Sequence, residues 1–369
     1  MKYRVPCRLN SHSSHLNQIP TGNAQEVILM KSVVLFGGTG FIGTHLAEHF
    51  LQRKLAATVV LVDLNEPLDV PYAPLRRCGL KSGSVVFVKH DVREPIPSGL
   101  LPGQTDLIFN LAAIHREPGH ALQEYFETNL LGAENVCEWA SEVGCETMVF
   151  TSSISPYGPS EEKKTETSLP APETAYGSSK LAAETIHMGW QGAREGRKLL
   201  VLRPGVVFGA GEGGNVTRLV RSLVKGYFVY LGNRKTIKSA GYVKELCLAT
   251  MFSLDVMRKA GTDKLLVNFS MDPPPTMEEL VSAILKAMGR TRRLLSVPPS
   301  LLVGMTYPLQ AIERMSGIEL PINAVRVRKL VRSNNVWPEQ LKSLGYVYSY
   351  TLESAFSDWK RDFPQDFTR

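Results

Sequence analysis

The chain has no apolar run of the ~18–20 residues that a membrane-crossing helix needs, and no run of five lysines or arginines. The first absence argues against an integral membrane segment. The second argues against the basic tail of a nucleic-acid binder. The greasiest late stretch, 301–312, is broken by Pro308 and followed by charge, so it reads as core or interface. Cysteine is scarce: Cys7, Cys78, Cys137, Cys145 and Cys247 are scattered, with no C-x-x-C spacing. That disfavours a disulfide frame or a zinc site and predicts reduced, buried thiols in a cytoplasmic protein. The histidines show no metal-ligand spacing, so no metal is expected. No Gly-x-Ser-x-Gly elbow precedes a helix, which disfavours a serine hydrolase.

What is present is an ordinary globular composition over 369 residues, enough for two modest domains or one large α/β domain with an insertion. Net charge is +7, mildly basic, and suits an anionic substrate. The first 25 residues contain no acid, no apolar core of a secretory signal and no periodicity. Residues 1–30 are therefore expected to be a disordered extension, with the folded part starting near Met30.

Residues 37–43 read Gly-Gly-Thr-Gly-Phe-Ile-Gly and follow the apolar run Ser32–Phe36. A strand that ends in glycines and opens into a helix can bring backbone N–H groups close to a pyrophosphate. Gly37, Gly40 and Gly43 set the turn, and Phe41 and Ile42 start a helix expected over 41–53. A second strand, 58–63, ends in Asp63, 20 positions after Gly43, where a carboxylate can hold a ribose 2′-hydroxyl. A carboxylate there repels a 2′-phosphate, and Leu64-Asn65-Glu66 offers no arginine, so NAD is expected over NADP.

Further short β-branched runs alternate with helical stretches: strands at 85–89, 106–110, 147–152, 198–202 and 265–269, helices at 119–143 and 175–194. This predicts an α/β fold, a doubly wound parallel Rossmann sheet with sites at the strands' C-terminal ends. A smaller mixed α/β C-terminal part would capture substrate. The expected division is 31–203 with about 236–270 for cofactor, and about 204–235 with 271–369 for substrate.

Tyr176 and Lys180 stand four apart at the start of the second of these helices, on one face. An ammonium beside a phenol favours the phenolate, which makes the pair a candidate general base. Ser153, just after the strand at 147–152, can hydrogen-bond both a substrate hydroxyl and the tyrosine oxygen.

Taken together, Gly37–Gly43, Asp63, Asp91-Val92, Asn110-Leu111-Ala112-Ala113, Asn129, Ser152-Ser153, Tyr176-x-x-x-Lys180 and Arg203-Pro204-Gly205 resemble, in order, the extended short-chain dehydrogenases/reductases. The resemblance is to the nucleotide-sugar epimerase/dehydratase branch and runs from about Lys31 to the C-terminus. It implies that Asp91 and Val92 flank the adenine, and that Leu111, Ala112, Ala113 and Pro204 line the cofactor path. It also implies that Asn129 steadies the active-site helix and that Lys180 binds the nicotinamide ribose. On the substrate side it implies Asn215 and Val216 at the nucleotide, Lys238 on the pyrophosphate, and Arg326, with Arg328, as a second phosphate contact.

Departures narrow the activity. Val206 stands where relatives have Asn, and Asn110 where His is frequent. Ile154 and Ser155 replace the Asp-Glu pair of 4,6-dehydratases, so dehydration is disfavoured. The expectation is NAD-dependent epimerisation at C4 of a UDP-hexose or UDP-N-acetylhexosamine. The alternatives are an NAD-linked oxidoreductase, such as a 4-keto-sugar reductase or hydroxysteroid-type dehydrogenase, and a non-catalytic NAD(H) sensor. Surplus apolar residues on 124–140 and 181–190 (Leu130, Leu131, Val136, Trp139; Leu181, Ala182, Ala183, Ile186, Met188) predict a homodimer.

Overall fold

The computed structural model describes residues 29–66, 84–116, 119–297 and 332–368. Strand β1 (Met30–Phe36), helix α1 (Phe41–Gln52) and strand β2 (Ala56–Asp63) form the expected β-α-β unit. Both strands start earlier than their apolar runs because Met30 pairs with Ala56. Then follow β3 (Val85–Lys89), β4 (Leu107–Asn110), α2 (Leu122–Glu142) and β5 (Thr147–Thr151). Next are β6 (Ser160–Lys164), α3 (Ala175–Gly192), β7 (Lys198–Pro204) and β8 (Val206–Phe208). The chain continues through α4 (Asn215–Lys225), β9 (Tyr230–Leu231), β10 (Ala240–Tyr242), α5 (Val243–Ala260) and β11 (Lys264–Phe269). It closes with α6 (Met277–Ala287), β12 (Ser296–Val297), β13 (Asn334–Val336), α7 (Glu339–Ser343) and α8 (Leu352–Asp362).

Seven strands make one parallel sheet in the order β11-β7-β5-β4-β1-β2-β3. Its strands are apolar on both faces, so both must be covered. Successive residues of a strand point to opposite sides. Val33, Leu35, Val59, Leu61 and Phe109 pack with Leu46 and Phe50 of α1 and Leu246 of α5. Val34, Phe36, Val60, Ile108, Met148 and Phe150 pack with Val136 and Trp139 of α2 and Ala183 and Trp190 of α3. Burying each large side chain contributes ~1.5–3 kcal/mol, which explains why these runs dominate the sequence signal.

Strand β1 lies between β2 and β4. Crossovers therefore leave it toward both edges, and a crevice opens at the C-terminal ends of β1 and β4. A third cluster, outside the sheet, gathers Phe208, Val220, Tyr242, Ile284, Phe356 and Trp359 from β8, α4, β10, α6 and α8. Phe208 stacks on Phe356 with centroids 4.6 Å apart.

Three small parallel pairs, β10–β8, β12–β9 and β13–β6, had no expectation in the sequence. Strand β6 is Ser-Glu-Glu-Lys-Lys, with no apolar pattern. It is held by backbone pairing to Asn334 and by Glu161, whose carboxylate accepts the Ser333 N–H at 2.8 Å. Cys137, Cys145 and Cys247 are buried free thiols; burial pushes the first up to about 12 and the second up to about 11. Cys7 and Cys78 lie outside the described residues. Among the described residues no helix is long and apolar enough to cross a membrane.

Candidate active site

The site begins at the turn between β1 and α1. Gly37 has φ +72°, and a Cβ there would lie 2.8 Å from the Ala112 nitrogen. The turn and the segment after β4 thus touch backbone to backbone. A Cβ on Gly43 would lie 2.6 Å from the Gly38 oxygen, so α1 also sits directly on the turn. On the other side, a Cβ on Gly40 would meet only the Gly37 oxygen, and α1 has neither a capping side chain nor an acid in its first turn. The first turn of α1 therefore carries no acid of its own, and Gly40 leaves space in front of its first N–H groups. This is a cradle that fits a pyrophosphate.

Asp63 ends β2 beside this turn. Its carboxylate accepts the N–H groups of Thr39 at 3.2 Å and Leu64 at 2.7 Å. The residue read from sequence as a ribose contact is thus also a brace for the glycine turn. Replacing Asp63 with Ala together with a nearby arginine is expected to raise the affinity for NADP relative to NAD, measured by titration calorimetry. Equal affinity of the unaltered protein for both cofactors would contradict the role given to this carboxylate.

Asp91 is engaged by Arg93, with Nε to Oδ1 at 3.0 Å and Nη2 to Oδ2 at 2.5 Å. These hydrogen bonds hold its carboxyl below the usual range. Val92 is buried against Gly132 of α2. Leu111 continues from β4 by donating its N–H to the Phe36 oxygen at 2.9 Å. Asn129 on α2 accepts the Ile114 N–H at 3.1 Å and donates to Ser179 Oγ at 2.8 Å. One side chain thus links the segment that touches the glycine turn to helix α3.

Helix α3 starts at Thr174, whose hydroxyl accepts the Gly177 N–H at 3.1 Å. It lies close on the segment after β5: a Cβ on Gly177 would be 2.7 Å from the Ser155 oxygen. Ser153 in that segment donates to Ser155 Oγ and accepts the Ser155 N–H, both at 3.1 Å. Tyr176 is half-buried, its ring 6.4 Å from that of Tyr125. One turn on, Lys180 is 2% exposed, and its ammonium sits 4.4 Å from the centre of the Phe150 ring. Burial pushes Lys180 down to about 7, opposed by the charge of Glu184. His187 stacks on the same Phe150 at 3.9 Å; Asn110 Nδ2 lies 3.1 Å from its Nε2, and its Nδ1 lies 2.7 Å from the Ala183 oxygen. Burial holds His187 down to about 3, so it is neutral. Asn110 at the end of β4 is thereby tied to a histidine from α3. His115 is also held below its usual value, first by burial and then by Arg116, with Lys180 contributing.

A buried ion pair stands behind the tyrosine and lysine. Arg203 of β7 donates to Glu184 of α3 through Nε at 2.8 Å and Nη2 at 2.5 Å, and Ser152 donates to the same carboxylate at 2.5 Å. Burial opposes the guanidinium's charge, but the Glu184 bonds outweigh it and raise its pKa. The guanidinium also lies 4.7 Å from the centre of the Tyr157 ring, whose hydroxyl donates to Asn268 at 3.0 Å. Pro204 closes β7 opposite Phe269 of β11.

On the substrate side, Asn215 opens α4 with its Oδ1 held by Arg218 at 2.7 Å, and Val216 is buried. Glu212 caps this helix by accepting the Thr217 N–H at 2.8 Å. Lys238 donates to the Arg332 carbonyl at 2.6 Å; burial pushes it down to about 8, opposed by Glu161. Arg326 and Arg328 lie outside the described residues. The structure thus joins the glycine turn to Ala112, and Asn129 ties the segment of Ala112 to α3, which carries Tyr176 and Lys180 and packs on the segment of Ser153 and Ser155; Asn215 opens α4, and Lys238 stands just before β10.

Sequence reading missed Glu184, His187, Glu212 and His115. A signal for the first two was available: charged or polar residues four and seven positions after Lys180 fall on the same helix face as a buried lysine. Glu212 carried no such signal, because it caps from outside the helix.

A model of the NAD dependent epimerase/dehydratase family matches residues 33–267. The N-acetyl-alpha-D-glucosaminyl-diphospho-ditrans,octacis-undecaprenol 4-epimerase of Escherichia coli O157:H7 is 26% identical over 88% of this chain and 92% of its own. UDP-glucose 4-epimerase 3 of Oryza sativa subsp. japonica is 28% identical over 54% of this chain and 55% of its own. Among solved structures, UDP-glucuronic acid 4-epimerase from Bacillus cereus, in complex with NAD, superposes with a TM-score of 0.69 at 18% identity, covering 91% of this chain and all of that one. With the cradle, the strand-end carboxylate and this match in agreement, the chain belongs to the NAD dependent epimerase/dehydratase family, and NAD is its cofactor.

Proposed function

We propose that the chain epimerises a nucleotide sugar at C4, with a UDP-hexose or UDP-N-acetylhexosamine as substrate. The observation that carries this reading is the intact set of Ser153, Tyr176 and Lys180 beside the glycine turn, with Ile154 and Ser155 where a dehydratase needs acids. Bound NAD supplies the acceptor and later the donor of the C4 hydride. Tyr176 takes the proton of the C4 hydroxyl, and the Lys180 ammonium favours its phenolate form. Ser153, held by Ser155, shares a hydrogen bond with the reacting oxygen. After the 4-keto sugar turns its other face, Tyr176 returns the proton. Gly37, Gly40, Phe41, Ile42, Gly43, Asp63, Val92, Leu111, Ala112, Ala113 and Pro204 line the cofactor side in this reading. Asn215 and Val216 hold the nucleotide, and Lys238 the pyrophosphate.

A second reading rests on the E. coli relative, which matches most of both chains and is named for a lipid-diphosphate sugar. There the diphosphate would carry a polyprenyl chain in place of uridine. Incubation with UDP-glucose, UDP-N-acetylglucosamine and N-acetylglucosaminyl-diphospho-polyprenol, followed by NMR of the products, separates the two. Inversion at C4 of a UDP-sugar supports the first, and inversion of the polyprenyl substrate alone supports the second. Net NADH formation would instead favour an oxidoreductase.

The cofactor part is taken to be 31–203 with about 236–270, and buried reduced thiols suit a cytoplasmic setting. A homodimer through α2 and α3 is part of the proposal. The monomer core absorbs Val136, Trp139 and Ala183, but Leu122, Phe126, Leu131 and Met188 stay 37–72% exposed on the two packed helices. Light scattering should give twice the 40.8 kDa chain mass. A monomer mass at micromolar concentration would remove this part of the reading.

A further inference from the structure

Helix α1 does more than open at the glycine turn. One turn in, it carries His45, which is 2% exposed and lies with its Nε2 2.8 Å from the Ala210 carbonyl oxygen. A carbonyl only accepts, so Nε2 carries the hydrogen and donates it. On the other side of the ring, Nδ1 is 3.8 Å from the Glu48 carboxylate, and the ring meets that of Phe41 edge-on at 5.3 Å. The imidazole is thus set by its own helix and reaches out to a distant part of the chain.

Ala210 belongs to 209–214, Gly-Ala-Gly-Glu-Gly-Gly, the segment that leads from β8 into α4. Gly209, Gly211 and Gly213 have φ of +151°, +90° and +60°. A backbone this rich in glycine has wide conformational freedom, so its course depends on what holds it. At one end His45 holds the Ala210 carbonyl. At the other, the Glu212 carboxylate accepts the Thr217 N–H at 2.8 Å and the Thr217 hydroxyl at 2.5 Å, which fixes the segment to α4. Between them the Glu212 N–H donates to the Gly209 oxygen at 3.2 Å. Hydrogen bonds therefore run without a break from α1 through Ala210 and Glu212 to the helix that opens with Asn215. Phe41 and Ile42 of α1 also pack on the apolar cluster of the smaller part. That contact is non-directional, whereas the bond to Ala210 fixes a distance and an angle.

We propose that His45 is a positioning residue for the substrate: through Ala210 it sets where Asn215 and Val216 hold the nucleotide relative to the NAD at the start of α1. The inference rests on the reading above in which Asn215 and Val216 are nucleotide contacts.

His45→Phe keeps a ring against Phe41 and removes the donor, and His45→Gln puts an amide donor back. Both are assayed as NAD-loaded protein with the UDP-sugar that the unaltered protein turns over. The Phe variant should show KM raised about tenfold, kcat within about twofold and NAD content unchanged, the pattern of lost binding without lost chemistry. The Gln variant should regain most of the affinity. A bond that only braces the fold predicts a lower melting temperature with KM unchanged in the folded Phe variant, and that result overturns the inference. If His45→Phe does not fold, Glu212→Ala cuts the same connection at its other end. KM should again rise with NAD kept, and an unchanged KM overturns the inference. If the unaltered protein turns over no UDP-sugar, the nucleotide reading has failed on its own. Hydrogen exchange of 209–214 in the NAD-loaded protein then tests the hold itself: faster exchange in either variant supports it, and an unchanged rate overturns it.

Discussion

Replacing Tyr176 with phenylalanine is expected to lower turnover by at least ~10²-fold, the loss typical of a removed general base. The fold and the bound NAD should be unaffected. The ring keeps its place at 6.4 Å from Tyr125, and Thr174 still caps α3 through the Gly177 N–H. Only the hydroxyl that exchanges a proton with the C4 oxygen is removed. Steady-state kinetics, with the NAD content of the purified protein measured by absorbance, separate the two effects. A variant with near-original turnover would mean that another group carries the proton. His115, which burial holds below its usual value, would then be the first to examine.

An equally large effect is expected from a single methyl group at the cofactor turn. In Gly43→Ala the new Cβ would lie 2.6 Å from the Gly38 oxygen and 2.8 Å from the Gly37 oxygen, both backbone atoms that cannot rotate away. Helix α1 must lift off the turn, which pulls its first N–H groups away from the pyrophosphate. Overpacking of this kind costs ~1–3 kcal/mol of stability, and the variant should purify without NAD and without activity. Gly103→Ala, which meets nothing within 4 Å, is the matching control and should keep both. Retention of NAD by Gly43→Ala would show that the cofactor phosphates rest elsewhere.

The parts legible in the sequence were those set by local pattern. The strands of the parallel sheet are buried on both faces, so Val33–Phe36, Val59–Val62 and Leu199–Leu202 appear as continuous apolar runs. The glycine turn and Asp63 were legible because backbone contact and a strand-end carboxylate each demand a residue type at a fixed offset. Strand β6 was illegible because nothing in Ser160–Lys164 specifies it; its partner Asn334 is far along the chain. Lys238 was named from the sequence, but its partners, the Arg332 carbonyl and Glu161, were hidden in the same way. Arg203 was visible as part of a motif, but its pairing with Glu184 depends on how α3 crosses β7. The surplus of apolar residues on α2 and α3 was legible as a count and not as a surface. Packing decides that Trp139 goes inward while Leu131 stays out.

Of all the measurements, one bears most directly on epimerisation. A UDP-sugar carrying deuterium at C4 is incubated with the purified protein, and NMR follows both the configuration and the label while absorbance follows NADH. The account predicts that the C4 epimer appears, that deuterium stays on C4 of both epimers, and that no net NADH accumulates, because the same bound NAD accepts and returns the hydride. NADH formed in step with substrate loss, with C4 never inverted, would contradict it.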